Sequence, residues 1–261
     1  IISHYYKFTK PAKKHFYDVV IGSGYVNCVL KKTIDGLRRN LVNIGKIHVI
    51  TMPYLVKQCE DDLDVYCHDE HTVLKRSDIK FRNKNGWTAH KSRTSWYYQQ
   101  FLKLFAYQSI SLTKQFMIWD ADNILLKRYN PMEGQKTRFI TGGWKNEFYP
   151  ITTTALTGKV PNRNDIVVHQ MMIQTEILDS LMMHMCGKVK KESCVNMIVD
   201  QIPKRADSKL GFSEYNLYYT WFHSKMPTIV YIDPSIKFKR TDSRYKKTGT
   251  GKDCEFNQNQ Y

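Results

Sequence analysis

The sequence predicts an α/β fold with a sheet of mostly parallel strands flanked by helices, and three observations carry that prediction. Tyr17-Asp18-Val19-Val20-Ile21 is a β-branched run that ends at Gly22-Ser23-Gly24 and gives way to Val29, Ile34, Leu37 and Leu41 at helical spacing. Lys46-Ile47-His48-Val49-Ile50-Thr51 repeats the strand signal before Pro53, and Leu63-Asp64-Val65-Tyr66 reads as a third strand. Gln115-Phe116-Met117-Ile118-Trp119, an apolar run of strand length, follows a helical pattern over 95–108. Strands that alternate with helices in this way pair in parallel.

The remaining elements follow the same logic. In the 95–108 segment Tyr97, Phe101, Leu104, Phe105 and Gln108 share one helical face, while Trp96, Gln99, Gln100, Lys103 and Tyr107 share another. Downstream, Arg138-Phe139-Ile140-Thr141 reads as a strand running into Gly142-Gly143-Trp144. Residues 169–185 are apolar at helical spacing, and Thr228-Ile229-Val230-Tyr231-Ile232 is a late strand. From about residue 240 the chain is a polar, basic, glycine-containing tail.

A chain of 261 residues without repeat or low-complexity linker is expected to form a single domain over 1–261. Hydrophobic residues at 42% exclude wholesale disorder, and no apolar stretch approaches the roughly 20 residues that span a bilayer. We therefore expect a soluble protein without a transmembrane segment. Residues 1–14 carry no continuous apolar run, so no secretory signal is read. The formal charge of +16 suits phosphate-bearing molecules, nucleic acid or anionic membrane. The basic runs at 10–14, 188–191 and 237–247 are scattered and form no nucleic-acid-binding signature, so no nucleic-acid partner is expected. Six cysteines without a CxxC pair predict reduced thiols and a cytoplasmic setting. A zinc site from Cys59, Cys67, His68 and His71 has suitable residue types at irregular spacing.

The chemistry concentrates at Asp120-Ala121-Asp122. In an extended segment residues i and i+2 project to one side, so both carboxylates meet there, and Ala121 leaves the other side clear. Two hard oxygen donors suit Mn²⁺ or Mg²⁺, which can bridge diphosphate oxygens. Four apolar residues precede the pair, so uncompensated negative charge beside the core needs a cation or a basic partner. Lys103, with Gln99 and Gln100 one turn away, is the candidate to address phosphate or Asp120; the alternative is a lysine that snorkels to water. Gly22-Ser23-Gly24 fails the GxGxxG pattern because Asn27 stands where the third glycine belongs, and Gly22 and Ser23 are read as bordering the nucleotide.

Taken together, Ser95-Trp96-Tyr97-Tyr98-Gln99-Gln100-Phe101-Leu102-Lys103-Leu104 and Phe116-Met117-Ile118-Trp119-Asp120-Ala121-Asp122 resemble the DUF6492 family of GT-A glycosyltransferases. Val167-Val168-His169-Gln170-Met171-Met172 and Phe212-Ser213-Glu214-Tyr215-Asn216-Leu217-Tyr218 resemble its later landmarks, so the likeness covers most of the chain. The resemblance implies a Rossmann-like GT-A domain, a nucleotide-sugar donor, UDP-linked, and a glycan acceptor approaching near Gly143 and Trp144. Metal would be held by Asp120 and Asp122, with the nucleotide sugar also meeting Ala121. Related sequences occur in bacteria and large algal viruses. The Lys, Asn and Tyr content is similar to that of chlorovirus enzymes building capsid glycans, a xylosyltransferase among them, which would place the protein in the host cytoplasm. The chain departs from the family in having Val168 before His169, where an acid is usual, with Asp165 a few residues earlier.

Roles follow from chemistry. An inverting transfer needs a carboxylate to take the acceptor proton. Glu214 is the leading base and Asp165 the alternative. His169 is read as a third metal ligand, with His223 as competitor. Trp144 and Tyr149 are read as aromatic faces for an acceptor sugar. The rival readings are a metal-dependent phosphotransferase or nuclease, which would want further acids near the pair, and a basic nucleic-acid-binding protein.

Overall fold

The computed structural model describes residues 16–82, 88–89, 93–142, 146–163, 166, 168–206 and 210–236. Strand β1 (Tyr17–Gly22) is buried along its whole length, as expected of a central strand covered on both faces. Helix α1 (Cys28–Asn40) starts at Asn27, whose side chain accepts from the backbone N–H groups of Val29 and Leu30. Strand β2 (Ile44–Thr51), helix α2 (Val56–Leu63) and strand β3 (Tyr66–Asp69) follow. The third strand thus lies later than the sequence pattern placed it: Leu63 closes α2, and Asp64 takes a left-handed conformation at φ 47° that turns the chain before the strand begins.

Short helix α3 (Glu70–Val73) and helix α4 (Thr94–Phe105) lead to strand β4 (Gln115–Asp120). A small hairpin, β5 (Met132–Glu133) and β6 (Lys136–Ile140), precedes helix α5 (Phe148–Thr157). Strand β7 (Gln170–Gln174) and helices α6 (Thr175–Cys186), α7 (Lys191–Asp200) and α8 (Glu214–Lys225) come next, and strand β8 (Val230–Asp233) closes the described chain.

The main sheet has the order β3-β2-β1-β4-β7, parallel except for β7, which runs antiparallel to β4. The single helix expected over 169–185 is therefore a strand followed by a helix. Met171, Met172 and Ile173 are all buried because the two faces of β7 meet two different cores, and such a run imitates helical periodicity. On one face Val20, Ile50, Phe116, Ile118 and Ile173 pack with α4, α6 and α8; on the other Val19, Ile21, Val49, Met117, Trp119 and Met172 pack with α1 and α2. Strand β6 pairs in parallel with β8 in a second sheet.

Asp18 is buried in β1 and its carboxylate accepts from the backbone N–H groups of Lys46 and Thr113. His48 of β2, also buried, faces His68 of β3 with Nδ1 and Nε2 2.9 Å apart. The cysteine expectation is overturned. Cys59 is bonded to Cys67 and Cys186 to Cys194, and Cys28 is disulfide-bonded too, so no described cysteine is free. The zinc arrangement fails for the same reason, because a disulfide sulfur offers no thiolate to a metal.

Candidate functional site

The C-terminal edge of the parallel strands brings Gly22, Asp120 and His169 together. Gly22 lies in register beside Asp120, and antiparallel β7 begins just after His169, whose carbonyl accepts from the Asp120 backbone N–H at 2.9 Å. The strand stops at Asp120, so the two aspartates do not converge by strand alternation. A turn closed by the Asn123 N–H on the Asp120 carbonyl carries Ala121 and Asp122, and Thr33 Oγ1 fixes the turn by donating to the Ala121 carbonyl at 2.9 Å. Asp120, Asp122 and His169 nevertheless offer ligand atoms that all lie within 4.8 Å of one another. Asp122 is exposed, and His169 and Asp120 keep 33% and 20% of their side-chain surface.

Behind these groups lies a buried network. Lys103, on α4, is enclosed, so the snorkelling alternative is excluded. Its ammonium donates to Asp120 Oδ1, to Glu214 Oε1 at 2.9 Å and to the Tyr215 hydroxyl at 3.2 Å, while that hydroxyl donates to Asp120 Oδ1 at 3.0 Å. The three N–H donors of an ammonium are thereby used. Asp120 Oδ2 meets His169 Nδ1 at 2.9 Å. Burial alone would lower the Lys103 pKa, but the two carboxylates more than offset it and hold the ammonium above its ordinary range. Burial pushes Asp120 up, and Lys103 and His169 overcome it, so the carboxyl sits at about 2. Burial raises Glu214, partly opposed by Lys103 and reinforced by the charge on Asp120.

Glu214, read from the sequence as the base, is the first residue of α8 and has no exposed surface. Ser213 caps the helix, its Oγ 3.4 Å from the Asn216 N–H. Glu214 Oε2 is buried without a hydrogen-bond partner. Gln99 lies over the end of β1, donating from Nε2 to the Gly22 carbonyl at 2.6 Å, and a Cβ on Gly22 would come to 3.2 Å from Gln99 Cγ. Ser23 uses its hydroxyl inside its own loop, donating to the Tyr25 carbonyl at 2.7 Å. Exposed Tyr25 follows it, and exposed Tyr54 stands on the neighbouring loop after β2, its hydroxyl on Met52 Sδ at 2.8 Å.

Other expected residues fall elsewhere. His223 sits nine positions beyond Glu214 on α8, roughly 13 Å away at the helical rise, with Nε2 3.1 Å from Asn162 Nδ2, so it does not join the cluster. Tyr149 is buried within α5 and presents no ring to a sugar. Asp165, Gly143, Trp144 and the basic tail from about 240 lie outside the described residues. Tyr215 is the member of the network that sequence reasoning missed. It is 112 positions from Lys103, and the signal that could have found it is its place beside Glu214 at the start of a helix.

No protein-family model matches the chain, the family read from its motifs included, and no curated protein matches it. Among solved structures the chain is similar to apo mouse xyloside xylosyltransferase 1, at 11% identity over 84% of this chain and 84% of that one, with a TM-score of 0.41. It is also similar to glucosyl-3-phosphoglycerate synthase from Mycobacterium tuberculosis in complex with UDP, at 11% identity over 62% of this chain and 57% of that one, TM-score 0.36. A third likeness is to the glycosyltransferase GlyE of Streptococcus pneumoniae, at 12% identity over 71% of this chain and 44% of that one, TM-score 0.33.

Proposed function

We propose that this chain is a metal-dependent GT-A glycosyltransferase that moves a sugar from a UDP-linked donor to a hydroxyl of a glycan acceptor. The observation that carries the reading is the Asp120, Asp122 and His169 cluster at the C-terminal edge of parallel strands, where open α/β sheets bind ligands. The donor set fits Mn²⁺ or Mg²⁺: two carboxylates and an imidazole converge, and Asp120 and Glu214 share one ammonium while Asp122 adds a third carboxylate at the surface, so three negative charges stand against one positive and leave two for a divalent cation to balance. Such a cation, when bound, offsets charge developing on the departing diphosphate.

The chain's own residues supply the rest. Gln99 fixes the backbone at the end of β1, and Gly22 leaves room for it. Tyr25 and Tyr54 offer exposed rings on adjoining loops, where a nucleobase can stack. Gly143 and Trp144 are the proposed acceptor-binding residues. The bridged cysteines favour an oxidising compartment over the cytoplasm for this activity, since disulfides persist there.

The test is to incubate the protein with Mn²⁺ and a panel of UDP, GDP and TDP sugars, UDP-xylose among them, and to monitor nucleotide release, then to repeat with Asp120→Ala and Asp122→Ala. Metal-dependent release from one donor that both substitutions abolish is the expected result. No binding of any donor, with metal-dependent cleavage of nucleic acid instead, would replace this reading by the nuclease.

A further inference from the structure

Two buried features of the network have no part in holding a ligand. Glu214 is sealed from solvent, which leaves it unable to reach an acceptor hydroxyl in this arrangement, and a carboxylate is costly to bury unless it is paired, as this one is with Lys103. Its neighbour Tyr215 is equally enclosed, with its ring under the Lys103 ammonium at 4.9 Å and its hydroxyl on Asp120. Both come from the first turn of α8, whereas Lys103 comes from α4 and Asp120 from β4. A helix and the strand that follows it therefore meet, on one carboxylate, a helix some ninety positions further along the chain.

We infer that Glu214 and Tyr215 are positioning residues that set the cation affinity of the site through Lys103 and Asp120. The inference rests on the metal reading above and reassigns Glu214 away from proton abstraction. Lys103 must divide its three donors among Asp120, Glu214 and Tyr215. With Glu214 in place, part of the ammonium's charge is balanced from behind, and Asp120 keeps negative charge to hold His169 Nδ1 through Oδ2. Asp120 in turn sets the orientation of the imidazole, since a carboxylate on one ring nitrogen fixes the tautomer and the direction of the other. Replacing Glu214 by a neutral amide removes one of the two uncompensated negative charges and concentrates Lys103 on Asp120. Both changes weaken the hold on a divalent cation. The Tyr215 hydroxyl acts in the same direction, because it accepts the third Lys103 N–H, which would otherwise turn to Asp120.

The test measures Mn²⁺ binding to the full chain by electron paramagnetic resonance of the free ion, with no sugar nucleotide present. Glu214→Gln is expected to weaken binding by about 10- to 100-fold, the range that outer partners of metal ligands command. On an Asp120→Asn background the same change should cost less than about three-fold, because residues acting through a shared partner are not additive. Tyr215→Phe, which removes one oxygen atom, provides a second variant if Glu214→Gln does not fold, and it too should weaken Mn²⁺ binding on the native background and not on Asp120→Asn.

Equal losses on both backgrounds would overturn the inference while leaving the metal reading intact, since they would mean that Glu214 and Tyr215 do not work through Asp120. Unchanged binding in the single variants would overturn it as well. A wild-type protein that takes up no Mn²⁺ would sink the metal reading and this inference with it, and is recognised separately because the unsubstituted chain alone reports it.

Discussion

Replacing Lys103 by methionine isolates the energetics of the buried network. The side chain of Lys103 is fully enclosed, as is that of Glu214, and Glu214 Oε2 already lacks a partner. Among the described residues, removing the ammonium leaves Glu214 with no countercharge and Asp120 with Tyr215 and His169. Breaking a buried ion pair from one side costs about 3–5 kcal/mol, because a buried charge remains without compensation. For a chain of this size that corresponds to a fall in Tm of roughly 6–20 °C.

The pH dependence has a definite sign. In the variant the folded-state pKa of Glu214 lies above its unfolded value, so stability is fully present at acid pH and is lost as pH rises through the folded value. The deficit relative to wild type should therefore shrink between pH 7 and pH 5. Adding Glu214→Gln to Lys103→Met should recover much of the loss at pH 7, since a neutral pair replaces an orphaned charge. Urea unfolding at both pH values, read as midpoint and slope, checks all three statements. A Lys103→Met protein within about 1 kcal/mol of wild type at pH 7, the worth of an exposed ion pair, would refute the argument that this lysine is a buried countercharge.

Two further outcomes follow from features away from the site. His48 has its pKa lowered to about 4, chiefly by burial, with His68 and Lys46 adding to the effect and Asp18 opposing it. A depressed histidine keeps its stabilising effect above the unfolded value near 6.5 and loses it as pH falls toward 4, at a cost on the order of 3 kcal/mol. His48→Gln should flatten that acid limb in unfolding titrations, and an unchanged limb would count against it. The Cys59–Cys67 and Cys186–Cys194 bonds each span eight positions, and opening one should cost about 2–3 kcal/mol on the loop-entropy scale. Calorimetry with and without reductant should show the drop, and alkylation of the unfolded, unreduced chain should label none of these four sulfurs.

Strands β1, β2 and β4 were legible in the sequence because central parallel strands are short, apolar and closed by turn residues, and each of the three ends close to where the pattern placed it. Asp120 and Asp122 were legible for the same reason, as acids next to a buried run. Residues 169–185 misled because β7 separates two cores, so successive methionines are buried on opposite faces and the alternation that betrays a strand is erased. The third strand was displaced because Asp64 interrupts an otherwise continuous polar-apolar pattern with a left-handed turn, a backbone event with no composition of its own. Lys103 was visible as a residue but not as a countercharge. Its partners Glu214 and Tyr215 lie more than a hundred positions away, and helical spacing carries no information about contacts at that range. The cysteines misled because the two mapped bridges each join one element to the next along the chain, α2 to β3 and α6 to α7, a use of disulfides that leaves no dense framework to recognise.

The reversed direction of β7 has a consequence for the thermodynamics of ligand capture. Because β7 runs against β4, the residue just before its first ladder position arrives beside the last residue of β4, and the backbone itself joins His169 to Asp120. Ordering a free backbone residue costs roughly 1–2 kcal/mol, and the folded chain has met that cost for these two positions before any ion approaches. Asp122, carried on the turn, is the member left to adjust. On the metal reading proposed above, the expected behaviour is that of a half-rigid claw, in which cation size is accommodated by one arm, so ions of different radius should differ more in how tightly Asp122 closes than in how the other two residues stand.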